Sequence, residues 1–149
     1  MAREAYITGI GQSEVGVRLP RHPLLLTLDA AREAVADAGL TFDQIDGVFS
    51  FPGKIPGYLA FSPVGTEDVI EAFGIKSKWQ MGAMEQPAQL SAIAMAAWAV
   101  KMGICRHVLC FRTVYEAGGM ADPATYMAGA KQDTVTGAAQ WTSPFWATS

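Results

Sequence analysis

The stretch from Gln86 to Met102 constrains the fold more than any other part of the chain. It reads Gln-Pro-Ala-Gln-Leu-Ser-Ala-Ile-Ala-Met-Ala-Ala-Trp-Ala-Val-Lys-Met, and Gly103 follows it. Ala, Leu and Met are strong helix formers, and no Gly or Pro interrupts the run after Pro87. Pro87 suits a first helical position, where a missing N–H costs nothing. Gly103 stands where helices usually stop. From Leu90 to Val100 no residue is charged, and Ser91 is the only polar one. A surface helix keeps a polar face, whereas a helix that is apolar all round is buried. At about 1.5 Å per residue the run is too short to cross a bilayer. The reading is a helix enclosed in the middle of a soluble domain and covered on both sides.

The rest of the composition fits such a domain. The chain has 149 residues, the size of one ordinary domain, and 50% of them are hydrophobic, which argues for a packed globule and against disorder. Net charge is −3 with no block of Lys or Arg, so nucleic acid and anionic membranes are not expected as main partners. Cys105 and Cys110 are too few for a disulfide framework or a Cys-based metal site. His22 and His107 are far apart in sequence, so no metal site is expected. The N-terminus lacks the apolar core of a signal peptide, and a cytoplasmic location is the default.

Taken in order, the chain alternates strands and helices. Ala5 to Ile10 is predicted as a first strand. Gly9 and Gly11 form Gly-x-Gly at its end, but the third glycine of a dinucleotide fingerprint is missing, so close backbone packing is expected instead. Leu24 to Ala38 places Leu24, Leu28, Ala31, Val35 and Ala38 on one helical face, and Gly39 ends the helix. Thr41-Phe-Asp-Gln44 matches a capping box. Val48 to Phe51 is predicted as a second strand, which makes a βαβ unit with parallel pairing. A Gly- and Pro-rich loop from Pro52 to Pro63 follows. Thr66 is expected to cap a short helix over Glu67–Phe73 that Gly74 closes. Lys78 to Gly82 is a third short strand, and Arg106 to Val114 a fourth. Residues 116–149 show no period, yet carry Tyr126, Trp141, Phe145 and Trp146. The division expected is a core over 1–115 and a loop segment over 116–149 that packs on something missing from the chain.

This order of elements resembles the N-terminal half of the thiolase superfamily, in particular the sterol-carrier-protein-like thiolases or lipid-transfer proteins, which include steroid side-chain aldolases. The residues that carry the resemblance are Ala5-Tyr-Ile-Thr-Gly-Ile-Gly, Ala31-Arg-Glu-Ala-Val-Ala-Asp-Ala-Gly-Leu40 and Gln44-Ile-Asp-Gly-Val48. Further on, Ala96-Ala-Trp-Ala-Val-Lys-Met-Gly103 runs into His107-Val-Leu-Cys-Phe-Arg112, and Gly118-Gly-Met120 follows. The match covers most of residues 4 to 122. It implies an α/β fold, one half of a layered αβαβα arrangement with a mostly parallel sheet. Each half supplies one helix to the central layer, here the apolar run. Family members are much longer than this chain, so the resemblance implies a truncated N-terminal half.

In thiolases a nucleophilic Cys sits at the N-terminus of the buried helix, where free N–H groups and the helix dipole favour a thiolate. Counting back from Gly103, that position falls on Gln86, or on Glu85 if the loop shifts by one. Neither side chain can form a thioester, and Cys105 and Cys110 lie beyond the other end of the helix. Ordinary thiolysis through a covalent Cys is therefore not expected. Glu85 has three readings: a carboxylate stabilised at a helix start, worth about 0.3–1 kcal/mol; a general acid or base for carbon–carbon cleavage; or a shaper of a pocket or dimer contact. Gln86 either caps the helix or donates its amide to a thioester carbonyl. Tyr115 and Glu116 follow the fourth strand at the sheet edge where α/β folds bind ligands, with local turn packing as the alternative. His22 is expected in a loop and His107 at a strand start, and the methionines are expected to fill core gaps.

The resemblance implies acyl transfer or retro-aldol cleavage of a coenzyme A thioester, with no tightly bound cofactor and no activity from this chain alone. The alternative is a non-catalytic thiolase-like subunit that binds acyl-CoA or lipid, or pairs with a partner chain. A homo-oligomer is expected through the short third strand around Trp79 to Met81. An OB-fold, zinc-ribbon partner protein is a further implication.

Overall fold

Three glycines fix where the three described α-helices end. Gly39, Gly74 and Gly103 have φ of 65°, 64° and 75°, a left-handed conformation that glycine adopts without steric cost. Each closes the same terminal motif. At the last helix, Gly103 N–H bonds the Val100 carbonyl at 3.0 Å and Ile104 N–H reaches back to Ala99 at 2.9 Å. Leu40 and Ile75 make the equivalent bonds to Val35 and Ile70, each at 3.0 Å. Orphan carbonyls are thus satisfied, and an apolar residue follows each stop.

A computed structural model describes residues 3–17, 19–54, 62–82 and 88–115. Its elements are helix α1 (Pro23–Asp37), a single 3-10 turn (Phe42–Gln44), strand β1 (Gly47–Ser50), helix α2 (Thr66–Phe73), strand β2 (Trp79–Gly82), helix α3 (Ala88–Lys101) and strand β3 (Val108–Phe111). The strands form one sheet in the order β2-β1-β3. Both pairings are parallel, with Phe49 opposite Met81 on one side and Cys110 on the other. The α/β class with a parallel sheet is as expected.

Strand β1 lies in the middle and is buried on both faces, which is why Gly-Val-Phe-Ser shows no polar alternation. Val48 points into a cluster with Ala31 and Val35 of α1, Val69 of α2 and Leu109 of β3. Phe49 points the other way, into a cluster with Phe51 and Ala92, against which Trp79, Met81, Met95 and Val108 pack. Helices α1 and α2 therefore cover one face and α3 the other.

Three sequence expectations need correcting. Residues 5–10 are not a strand. They run along α1, where the Ile10 N–H is taken by the Asp37 carboxylate at 3.0 Å and the Gln12 N–H by Glu33 at 2.8 Å. Gly9 and Gly11 press against the α1 backbone at Ala34 and Ala30, where a Cβ has no room. Strand propensity alone does not make a strand, because the ladder needs a neighbour. Second, the cap of α2 is Gly65 rather than Thr66, with its N–H held by the Asp68 carboxylate at 2.7 Å. Third, among the described residues α3 is covered on one side only, rather than on both. Ala92, Ala96 and Ala99 are buried, whereas Leu90 and Trp98 are 75% and 62% exposed. Ala92, Ala96 and Ala99, with Met95 beside them, sit against the sheet, while Leu90, Ile93 and Trp98 face outward, so one face of the helix has no covering layer among the described residues.

Candidate functional site

In a parallel sheet joined through helices, each connecting helix starts at the carboxyl edge of the strands. Helix starts carry free N–H groups and the positive ends of their dipoles, so this edge is where α/β folds bind ligands. In this chain it is built from the ends of β1, β2 and β3 and from the start of α1.

The start of α1 is tied to the chain beyond β3. His22 caps the helix through Nδ1, which accepts the Leu24 N–H at 3.2 Å. Thr27 donates its hydroxyl proton to the Pro23 carbonyl at 2.9 Å. Its oxygen lies 2.6 Å from the Thr113 hydroxyl, and since the Thr27 proton is already used, Thr113 is the donor. Tyr115 donates its phenol to the Leu19 carbonyl at 3.1 Å. The described edge thus uses Tyr115 to brace the loop before α1.

The end of β1 is more unusual. Ser50 is fully buried, and its hydroxyl has no hydrogen-bond partner among the described residues. Opposite it, Gly82 ends β2 and packs against Gly53, where a Cβ on Gly82 would come within 2.9 Å of the Gly53 Cα. Ser62 donates to the Pro52 carbonyl at 3.0 Å. The Arg112 guanidinium lies 5.9 Å from the centre of the Phe51 ring. Glu85, Gln86 and Glu116 lie outside the described residues.

The opposite, amino edge is organised by Asp46, a residue that sequence reasoning treated only as the approach to β1. Its Oδ1 accepts the backbone N–H groups of Arg106 at 2.7 Å and His107 at 3.0 Å. Its Oδ2 meets Lys78 Nζ at 3.0 Å, and its carbonyl accepts the Lys78 N–H at 2.8 Å. Burial alone would raise its pKa, but the backbone donors of His107 and Arg106, together with Lys78, outweigh that and hold it below the usual aspartate value. Asp46 lines a cleft of about 420 Å³ with Asp43, Gln44, Lys76, Lys78, Arg106 and His107. A carboxylate already satisfied in this way joins the three strand starts and has little left for acid–base work.

Neither cysteine can replace a nucleophile at the start of α3. Cys105 is buried at the amino edge, with its thiol directed at the Asp46 carbonyl at 3.5 Å. Desolvation and the Asp46 charge raise its pKa, and Lys78 offsets this only in part. Cys110 sits within β3 and keeps some surface, yet desolvation of its sulfur pushes its pKa up to about 11. Thiolates form at electropositive sites, and these two environments do the opposite. Among the described residues no group of three or more His, Cys, Asp or Glu could hold a metal ion, and no helix is long and apolar enough to cross a membrane.

Comparison with known proteins finds two similar aldolases. A steroid side-chain-cleaving aldolase of Thermomonospora curvata is 29% identical over 119 residues, which are 78% of this chain and 28% of that protein. The chain is similar to steroid side-chain-cleaving aldolases. A solved structure described as Ltp2-ChsH2(DUF35) aldolase matches with a TM-score of 0.68 and 30% identity, over 86% of this chain and 32% of its own. This chain therefore spans about a third of the length of the relatives it matches. No family model matches the sequence. Both relatives are described as aldolases.

Proposed function

We propose that this chain supplies one α/β unit of an aldolase that cleaves a carbon–carbon bond in the side chain of a steroid coenzyme A thioester. The observation that carries this reading is the match to two aldolases, one of them a solved structure at 30% identity and a TM-score of 0.68. The placement of the cysteines supports it. Thiolysis needs a thiolate that takes an acyl group, and both thiols here are removed from the start of α3 and held protonated.

Retro-aldol chemistry needs no covalent intermediate. A base takes the proton from a β-hydroxyl, the bond between Cα and Cβ breaks, and Cβ becomes a carbonyl carbon. The electron pair passes into the enolate of the shortened thioester, which then takes up a proton at Cα. In this reading Glu85 is the acid–base group and Gln86 donates its amide to the thioester oxygen, where negative charge develops. Coenzyme A enters as part of the substrate, and no cofactor is tightly bound. The thiolase-like layered architecture belongs to the same proposal. So does a homo-oligomer formed along β2, which is an edge of the described sheet. A partner protein of the OB-fold, zinc-ribbon kind completes it, and the name of the solved relative, which joins Ltp2 with ChsH2(DUF35), supports a second component.

The test is an assay of the full gene product, with its partner, on a steroid β-hydroxyacyl-CoA thioester. Mass spectrometry follows the appearance of the ketone or aldehyde and of the shortened acyl-CoA. Cleavage without added coenzyme A is expected, and Glu85→Gln should slow it about 10²–10⁴-fold. A strict requirement for free coenzyme A would identify thiolysis and overturn the reading.

A further inference from the structure

We draw no further inference here: the strongest candidate, the outward apolar face of α3 that carries Leu90, Ile93 and Trp98, carries nothing because nothing in the structure shows what covers it.

Discussion

Replacing Asp46 by Ala should destabilise this domain more than any other single polar substitution at the sheet edges. The Asp46 side chain is 12% exposed, and its carboxylate accepts two backbone N–H groups, those of Arg106 and His107, as well as the Lys78 ammonium. Alanine leaves both N–H groups without their acceptor, at about 1–3 kcal/mol for each one that stays dry. The pair with Lys78 adds less, because the Lys78 side chain is 64% exposed and such pairs are worth about 0–1 kcal/mol. A loss of about 2–6 kcal/mol is therefore expected for Asp46→Ala if both N–H groups stay dry. Asp46→Asn keeps an oxygen acceptor and loses the charge, so about 1–2 kcal/mol is expected. Lys78→Ala should cost under about 1 kcal/mol. Urea unfolding followed by circular dichroism measures all three, and the order Ala, Asn, Lys78→Ala is the prediction. The pH dependence has a definite sign. The folded pKa of Asp46 lies below its ordinary value of 3.8, so its contribution is complete at neutral pH. It is lost as pH falls from that ordinary value through the folded one, and the gap between the native chain and Asp46→Asn should close over that range. An Asp46→Ala variant within about 0.5 kcal/mol of the native chain at pH 7 would refute the accounting, because the two part-buried donors would then lose nothing with their acceptor.

The carboxyl edge offers a parallel test. Thr27→Val leaves the buried Thr113 hydroxyl without its acceptor and should cost about 1–3 kcal/mol, while the Thr27→Val, Thr113→Val double variant should cost less than the sum, as a double-mutant cycle would show. Gly103→Ala forces a side chain into φ of 75° and should lower stability by about 1–2 kcal/mol in thermal or urea unfolding. The thiols should resist iodoacetamide at pH 7, with Cys105 labelled only on unfolding and Cys110 reacting as pH approaches about 11; rapid labelling of either at neutral pH, read by mass spectrometry, contradicts the assigned environments. Because both folded thiol values are raised, their contribution to stability is present at neutral pH and falls at alkaline pH, for Cys110 as pH rises through about 11.

Much of the site escaped the sequence because its bonds are long in sequence and short in space. Asp46 bonds to residues about sixty positions away, and nothing in Ile-Asp-Gly-Val advertises that. Tyr115 stood out as a residue after a strand, yet its partner is a carbonyl before α1. Ser50 drew no notice at all, since a serine at a strand end reads as ordinary. A better signal existed in one place: the paired glycines Gly53 and Gly82, each beyond or at a strand end, mark a close approach of two backbones at that edge.

By itself the sequence determined the helices, their stops and the three short strands. Helix ends depend on bonds within a few residues, so Gly39, Gly74 and Gly103 announce them locally. The apolar β-formers of Val48–Phe49 and of Val108–Phe111 likewise mark strands wherever a sheet can receive them. The tertiary structure alone decided the rest. It left residues 5–10 along α1, since a strand exists only beside another strand. It turned the face of α3 with Ala92, Met95, Ala96 and Ala99 to the sheet and the face with Leu90, Ile93 and Trp98 outward, a choice that an evenly apolar run does not record. It also gathered Asp46, Lys78, Cys105 and His107 at one edge and Ser50, Thr27, Thr113 and Tyr115 at the other. Parallel strands send the two ends of each connecting helix to opposite edges, and only that arrangement separates these two groups of residues.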